Sequence, residues 1–406
     1  MNKYFLLFAF ALMSQFVTSQ INNEGVVYVG TEYQVSFKSN FVNDAGAEFW
    51  NNGDVHASKD WTNDGTVDFN VLSIDSGKTN FVGDDAQTIS GTNNSNFYDV
   101  VFDNSFITTP AIDLQGDIAV TNESNFLNGI VTNNTSNAMF VFLQNADQNN
   151  ASNASHVDGK VIKEGNTEFI YPIGNGEFFR EATISQLDTT SDVLVGEFNF
   201  EDTNISFPTT SIANNLSLID NTEHWVLEQV AGTSQVFLSI GWDSNTTQTE
   251  ILTADPADIH IARWDAVALQ WVDQGGLLDA TNNRVSALVD NYGVFTLALK
   301  KEPVISSVPF PVNDAPDVFP LFVTPNQDGF NDTWNVNPTA DMTVKSIFIF
   351  DRYGKLLKQL ALNGAGWDGT YNDSPMPTND YWYTVQYTIS GETNVREYKS
   401  HFTLKR

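Results

Sequence analysis

Apolar and polar residues alternate in short runs along most of this chain, and the runs are separated by residues that turn the backbone. Thr66-Val67-Asp68-Phe69, Val236-Phe237-Leu238-Ser239-Ile240 and Ser346 to Phe350 each place large apolar side chains at every second position. A period of two is that of a strand with one buried face. Between Ile21 and Val157, Asn43-Asp44-Ala45-Gly46, Asn51-Asn52-Gly53 and Asn63-Asp64-Gly65 each precede such a run. Asn and Gly tolerate left-handed backbone, so these clusters read as corners. Corners every roughly eight to twelve residues predict a β-solenoid or a meandering sandwich. The Asn-rich corners, the weak alternation and the repeated strand-turn units at Leu114 to Val120 and Phe126 to Thr132 favour the solenoid.

Gln144 to His156 has almost no large apolar residue and reads as an exposed loop. Beyond it, Val161 to Leu299 resumes strand-like runs around Trp225, Trp242, Trp264 and Trp271 and predicts a second β-region, a sandwich. Four prolines between Lys300 and Asp317, at 303, 309, 311 and 316, predict an extended linker. After it, Ile347 to Phe350 and Tyr381 to Tyr387 are aromatic-rich strands. Gly354 suits a tight turn, and Trp367, between Gly366 and Asp368-Gly369, reads as a plug over a core. The expected class is all-β, divided as 1–19 leader, 20–157 parallel β-helix-like solenoid, 158–299 Trp-rich β-sandwich, 300–317 linker and 318–406 immunoglobulin-like β-sandwich.

Charge separates the last part from the rest. The 406 residues hold 19 Lys and Arg against 50 Asp and Glu, a formal net charge of −31. Nine of the basic and twelve of the acidic residues follow Lys300, so the final quarter carries −3 and the first 300 residues −28. Such a surface repels phosphate backbones and anionic membranes, and leaves divalent cations, basic partners and neutral glycans open. There is no cysteine, which excludes disulfides, thiolate catalysis and Cys-ligated metals. Lys3, the apolar run Tyr4 to Met13 and the small residues Val17 and Ser19 have the form of a signal peptide cut before Gln20. No later run approaches about 18 uninterrupted apolar residues, so no transmembrane anchor is expected.

Candidate chemistry is sparse. Asn326, Asp328, Asn331 and Asp332 put oxygen side chains around Gly329, as loose calcium loops do; Thr324 and Asn335 stand where an EF-hand needs its first acid and its glutamate. The competing reading is an Asx-stabilised turn. His56, His156, His224, His260 and His401 are scattered without a metal-binding spacing. Gly77-Lys78-Thr79 lacks the upstream glycine of a phosphate loop. Asp84-Asp85 and Asp99 to Asp103, with Lys78 near, are the only cast for cleaving an acidic polysaccharide. The tryptophans from Trp225 to Trp271 fit a core better than a sugar platform.

Four blocks at the end carry a family resemblance: Phe322-Val323-Thr324-Pro325-Asn326-Gln327-Asp328-Gly329-Phe330-Asn331-Asp332, Ile347 to Gly354, Gly366-Trp367-Asp368-Gly369, and Phe402-Thr403-Leu404-Lys405-Arg406. In order and spacing they resemble the gliding-motility-associated C-terminal domain, the type B sorting domain of type IX secretion cargo in Bacteroidota. The family commonly has glycine at Gln327, asparagine at Asp351 and tryptophan at Tyr353. The resemblance implies recognition by the type IX machinery through Thr324, Pro325, Asn326, Asp328, Gly329, Asn331, Asp332, Arg352, Gly354, Trp367, Asp368, Gly369, Lys405 and Arg406. Less specifically, Thr79 to Val101 resembles parts of parallel β-helices in exported Bacteroidota proteins. The expected protein is a non-enzymatic one without cofactor, exported through the periplasm to the cell surface or medium, with an adhesive or structural role. The alternative is an exported protein that binds or degrades polysaccharide.

Overall fold

A computed structural model describes residues 19–72, 77–289, 291–301, 318–352, 354–362, 364–371, 374–391 and 395–406. The expected leader, apart from Ser19, and the Pro-rich linker from Glu302 onward lie outside the described residues, as does Tyr353.

The N-terminal unit is a parallel β-solenoid of about six turns with three strands to the turn. One face stacks Gln20–Asn23, Asn40–Asn43, Trp61–Asn63, Gln87–Ser90, Ile112–Leu114 and Val131–Thr132. The second stacks Val26–Val29, Glu48–Asn51 and Thr66–Asp68, then the first halves of Ser95–Asn104 and Ile118–Asn128, then Phe140–Phe142 and Val161–Glu164. The third stacks Gln34–Phe37, Asp54–Ala57, Lys78–Gly83 and the second halves of those two long strands. Parallel register puts like positions above one another, so the interior is built in columns. Ile21, Phe41, Trp61, Ile89 and Leu114 form one column, and Phe37, Ala57, Phe81, Phe102 and Phe126 another. Phe81 and Phe102 stack with ring centroids 5.8 Å apart, and Phe102 and Phe126 at 5.4 Å.

Asparagines at one corner tie successive turns together. The Nδ2 of Asn23 donates to Oδ1 of Asn43 at 2.8 Å, and Nδ2 of Asn43 donates to Oδ1 of Asn63 at 2.9 Å. Asn43 also donates to the Thr66 carbonyl at 3.0 Å and is fully buried. Each amide satisfies corner backbone that no strand ladder reaches. Glycine is required beside this ladder, because a Cβ on Gly65 would lie 2.3 Å from the Ala47 carbonyl oxygen and 2.7 Å from Nδ2 of Asn43.

The segment read from sequence as an exposed loop, Gln144 to His156, behaves otherwise. Asp147–Asn149 pairs in parallel with Glu123–Asn125, and Ser155 and His156 are buried. The strand is held by backbone bonds while its side chains are largely exposed, so no apolar alternation marks it. Parallel stacking continues beyond Val157: Val157–Asp158 pairs with Ile173–Asn175, and residues 172–179 cluster with the solenoid while 165–171 and Arg180 onward form the other unit.

In that second unit, two antiparallel sheets make the middle sandwich. One runs Phe169–Tyr171, Ala182–Ile184, Val236–Gly241, Arg284–Val289, Leu277–Asp279. The other centres on Gly293–Lys300, which pairs with Leu216–Ile219, Glu223–Ala231 and Ile259–Asp265; Val193–Phe200 and Gln270–Gly275 extend it. Trp225 and Trp271 are buried, as the core reading of the tryptophans expects, with Trp264 set edge-on to Trp271. Arg180 meets Glu223 through two bonds of 3.0 Å and lies 5.2 Å from the Trp225 ring centre. The fully buried Glu223 carboxylate also accepts the Thr247 hydroxyl, so its oxygens are met by protein donors.

The C-terminal sandwich is built on a five-stranded sheet ordered Phe322–Val323, Arg396–Leu404, Asn379–Ile389, Met342–Phe350, Leu356–Gln359. All its pairings are antiparallel except that of Phe322–Val323 with Thr403–Leu404. A small ribbon, Thr370–Tyr371 with Ser374–Pro375, and the Trp334 and Trp367 segments make the facing layer.

Candidate sorting site

The four C-terminal blocks converge on one aromatic core. Tyr381, Tyr383 and Phe402 face inward from adjacent strands because alternation puts them on one side. Trp334 stacks on Phe402 at 4.6 Å, and Trp367 meets Tyr381 at 5.0 Å. The two tryptophans exchange backbone N–H···O bonds of 2.8 Å. Each indole N–H is satisfied by a carbonyl 2.7 Å away, that of Pro320 for Trp334 and that of Thr370 for Trp367. Trp367 is therefore a plug, as its setting among glycines suggests. Trp334, its counterpart, belongs to none of the motif blocks; a lone tryptophan after the polar run Asn331-Asp332-Thr333 was its signal.

Arg406 closes the site. Its Nε donates to the Met376 carbonyl at 3.1 Å and an Nη to the Gly369 carbonyl at 2.9 Å, while its backbone N–H donates to Oγ1 of Thr378 at 3.0 Å. Gly369, at φ +79°, cannot carry a side chain here: a Cβ would lie 2.8 Å from Leu404 and 3.1 Å from the Arg406 guanidinium. Asp368 fixes the same loop by accepting the Thr370 hydroxyl at 2.7 Å and its N–H at 3.0 Å. Burial opposes its ionisation, but those bonds outweigh burial and hold the carboxyl below the usual range. Burial pushes the Tyr383 phenol well up. The Lys405 N–H donates to the Val323 carbonyl at 2.9 Å, which ties the chain end to the first block.

The first block is a knotted turn. Asp332 accepts the N–H groups of Asn326 at 3.0 Å, Gln327 at 2.6 Å and Gly329 at 2.8 Å. Asp328 accepts the Phe330 N–H and the Asn326 amide, both at 2.8 Å, and the Thr324 N–H donates to the Asn331 carbonyl at 2.7 Å. The Asn326 and Phe330 donors lower the Asp328 pKa. All four carboxylate oxygens thus hold protein donors, so a calcium ion at this loop would have to share them. Gln327 and Asn331 adopt φ of +63° and +52°, the left-handed region, which accounts for the family's glycine at the Gln327 position. Pro325 leads into this turn. Arg352 and Gly354 form a separate one, where Gly354 has φ +83° and donates to the Asp351 carbonyl at 3.1 Å. The structure therefore joins Trp367, Asp368 and Gly369 to Arg406, and the first block to Lys405, while the Arg352 turn stands on another loop.

The other candidates fall apart or into pairs. His260 meets Asp273 at 2.8 Å and His56 meets Asp54 at 3.2 Å. His224 is buried with its pKa lowered by burial to about 4, and Asp220 beside it is raised by burial and by Glu223 to about 6. His156 is also buried, whereas His401 is exposed beside Trp382. Lys78 stands in register between Asp54 and Asp99, whereas Asp85 is paired with Lys59. Gly77 serves close packing, since a Cβ there would lie 2.2 Å from the Asn51 carbonyl oxygen.

Among the described residues no helix is long and apolar enough to cross a membrane. No curated protein and no solved structure matches the chain. Residues 318–404 match the type IX secretion signal domain (CHU_C), and the matched span holds every sorting block described above except the last two residues. The chain is thus a β-rich protein that carries a C-terminal type IX secretion sorting domain and is exported by that machinery to the cell surface or extracellular space.

Proposed function

We propose that the solenoid and middle sandwich are a non-enzymatic payload, working without a cofactor in an adhesive or structural role outside the cell, after an N-terminal leader has taken the chain to the periplasm. The observation that carries this reading is the solenoid itself, whose corners and columns form a rigid stacked scaffold with side-chain ladders running through it. Corner asparagines such as Asn23 and Asn43 hold successive turns together, and Arg180–Glu223 and His260–Asp273 are paired within the sandwich. Surface adhesion needs such a scaffold more than it needs a reactive constellation.

Two measurements test it. Deleting Phe319 to Arg406 is expected to trap the remainder in the periplasm; normal export of the truncation would end the reading. Incubation of the secreted chain with a panel of plant and algal polysaccharides is expected to release no reducing ends. Release would replace adhesion by the degrading alternative.

A further inference from the structure

The first two solenoid turns carry an uncovered aromatic cluster. Tyr28 points outward from the second face, in register with Trp50 on the next turn and Asp68 on the one after. Tyr33 follows in the loop that leaves the same strand, its N–H bonded to the Gly30 carbonyl at 2.9 Å. Both tyrosine rings lie against Gly30, where a Cβ would be 3.3 Å from Cδ2 of Tyr33 and 3.5 Å from Cε1 of Tyr28. Tyr28 is 57% exposed and Tyr33 69%, values far from those of core aromatics. The Trp50 indole is half-buried and pinned, since its Nε1 donates to the Glu48 carboxylate at 2.9 Å. Val26, 71% exposed, fills the neighbouring outward column above Glu48.

We infer that Tyr28, Tyr33 and Trp50 form a binding platform for a neutral polysaccharide; this rests on the adhesive reading above and names its ligand class and site. The chemistry on the page selects that occupant. Flat rings with a polar edge pack against the C–H faces of sugars and cost little side-chain entropy on binding. Glu48 and Asp68 stand beside the rings as acceptors for hydroxyl groups. Each is held by protein donors: Glu48 by the indole, Asp68 by the Phe69 N–H at 2.9 Å and by Asn96. No Lys or Arg lies between Gln20 and Phe37, Glu48 and Asp68 are charged groups beside the rings, and the first 300 residues carry −28, a balance that disfavours an anionic polymer. Rings on successive turns are spaced by the stacking distance of strands, about 4.8 Å. That spacing suits an extended chain running along the stack.

The test is native affinity electrophoresis of the full secreted chain through gels containing glucan, mannan or xylan, with alginate gels and added polylysine as further arms. Retardation is expected in at least one neutral gel and none in alginate. Tyr28→Ala/Tyr33→Ala is expected to weaken it at least about tenfold. Both tyrosines are exposed, so unchanged circular dichroism should accompany the loss, and Trp50→Ala should act in the same direction. Retardation undiminished in the double variant, or association with polylysine alone, would overturn the platform. Adhesion of the double variant to polysaccharide-coated surfaces at the wild-type level would refute this site while leaving the adhesive role standing. A wild-type chain that binds none of the glycans and adheres to no surface would remove both.

Discussion

Replacing Asn43 by alanine should open the solenoid locally more than any exposed corner substitution. The side chain is fully buried and makes three hydrogen bonds: it accepts from Asn23 at 2.8 Å and donates to Asn63 at 2.9 Å and to the Thr66 carbonyl at 3.0 Å. At about 1 kcal/mol for each bond, the loss is about 3 kcal/mol, and the buried partners left short of a bond push it upward. Hydrogen exchange read by mass spectrometry on the full chain resolves this, because exchange reports local opening free energy. Peptides covering 40–51 and 60–70 should lose roughly a hundredfold in protection. Asn40→Ala, on the outward side of the same strand and bonded to Asp60 at 3.1 Å, should change protection only slightly. Asn43→Asp should be worse than alanine at pH 7, since a carboxylate cannot donate to Asn63 or Thr66 and would bring a charge into the corner. Equal exchange in Asn43→Ala and Asn40→Ala would refute the idea that the ladder holds the turns.

Further outcomes follow from the second unit. Asp220, raised to about 6, stabilises the fold below its ordinary carboxylate pKa and loses that contribution as pH rises through 6; His224, lowered to about 4, stabilises above its ordinary value and loses that as pH falls through 4. The two slopes oppose each other between pH 4 and 6. Asp220→Asn should therefore unmask a stability that climbs with pH over this range by about 2 kcal/mol more than in the parent. Thermal unfolding followed by tryptophan fluorescence would show it, and parallel curves for the two proteins would refute it. Arg406→Ala frees the Gly369 and Met376 carbonyls from the guanidinium, so limited proteolysis between Gly366 and Thr378 should accelerate roughly tenfold while the solenoid is cut at its former rate. No acceleration would mean that the terminal arginine does not brace this loop.

The sequence disclosed what recurs or what resembles. Asn51-Asn52-Gly53 and Asn63-Asp64-Gly65 announced corners because an amide and a glycine meet two needs there, a bond to stranded backbone and room for a neighbouring turn. The twenty-residue step from Asn23 to Asn43 to Asn63 was also present. It faded because the next turn is longer, with Trp61 pairing to Ile89 across 28 positions. Asp147–Asn149 escaped notice since a strand whose side chains look into water carries no apolar rhythm. At the sorting site, Trp367 and Gly369 stood out by composition, whereas the carbonyls of Pro320, Gly369 and Met376 could not. Backbone acceptors are chosen by the fold, and no residue type marks them. Tyr28 and Trp50 lie 22 positions apart and became neighbours only once the register was known.

Parallel register has a bearing on how such a rod could change its reach. Removing the twenty residues from Phe41 to Asp60 would bring Trp61 onto Ile21 and Asn63 onto Asn23 with the inward positions still inward, and would shorten the solenoid by one strand spacing, about 4.8 Å. Removing nineteen would turn the core column out into water. Height in this protein is therefore available only in whole storeys, and a change of length that respects them leaves the sorting domain untouched.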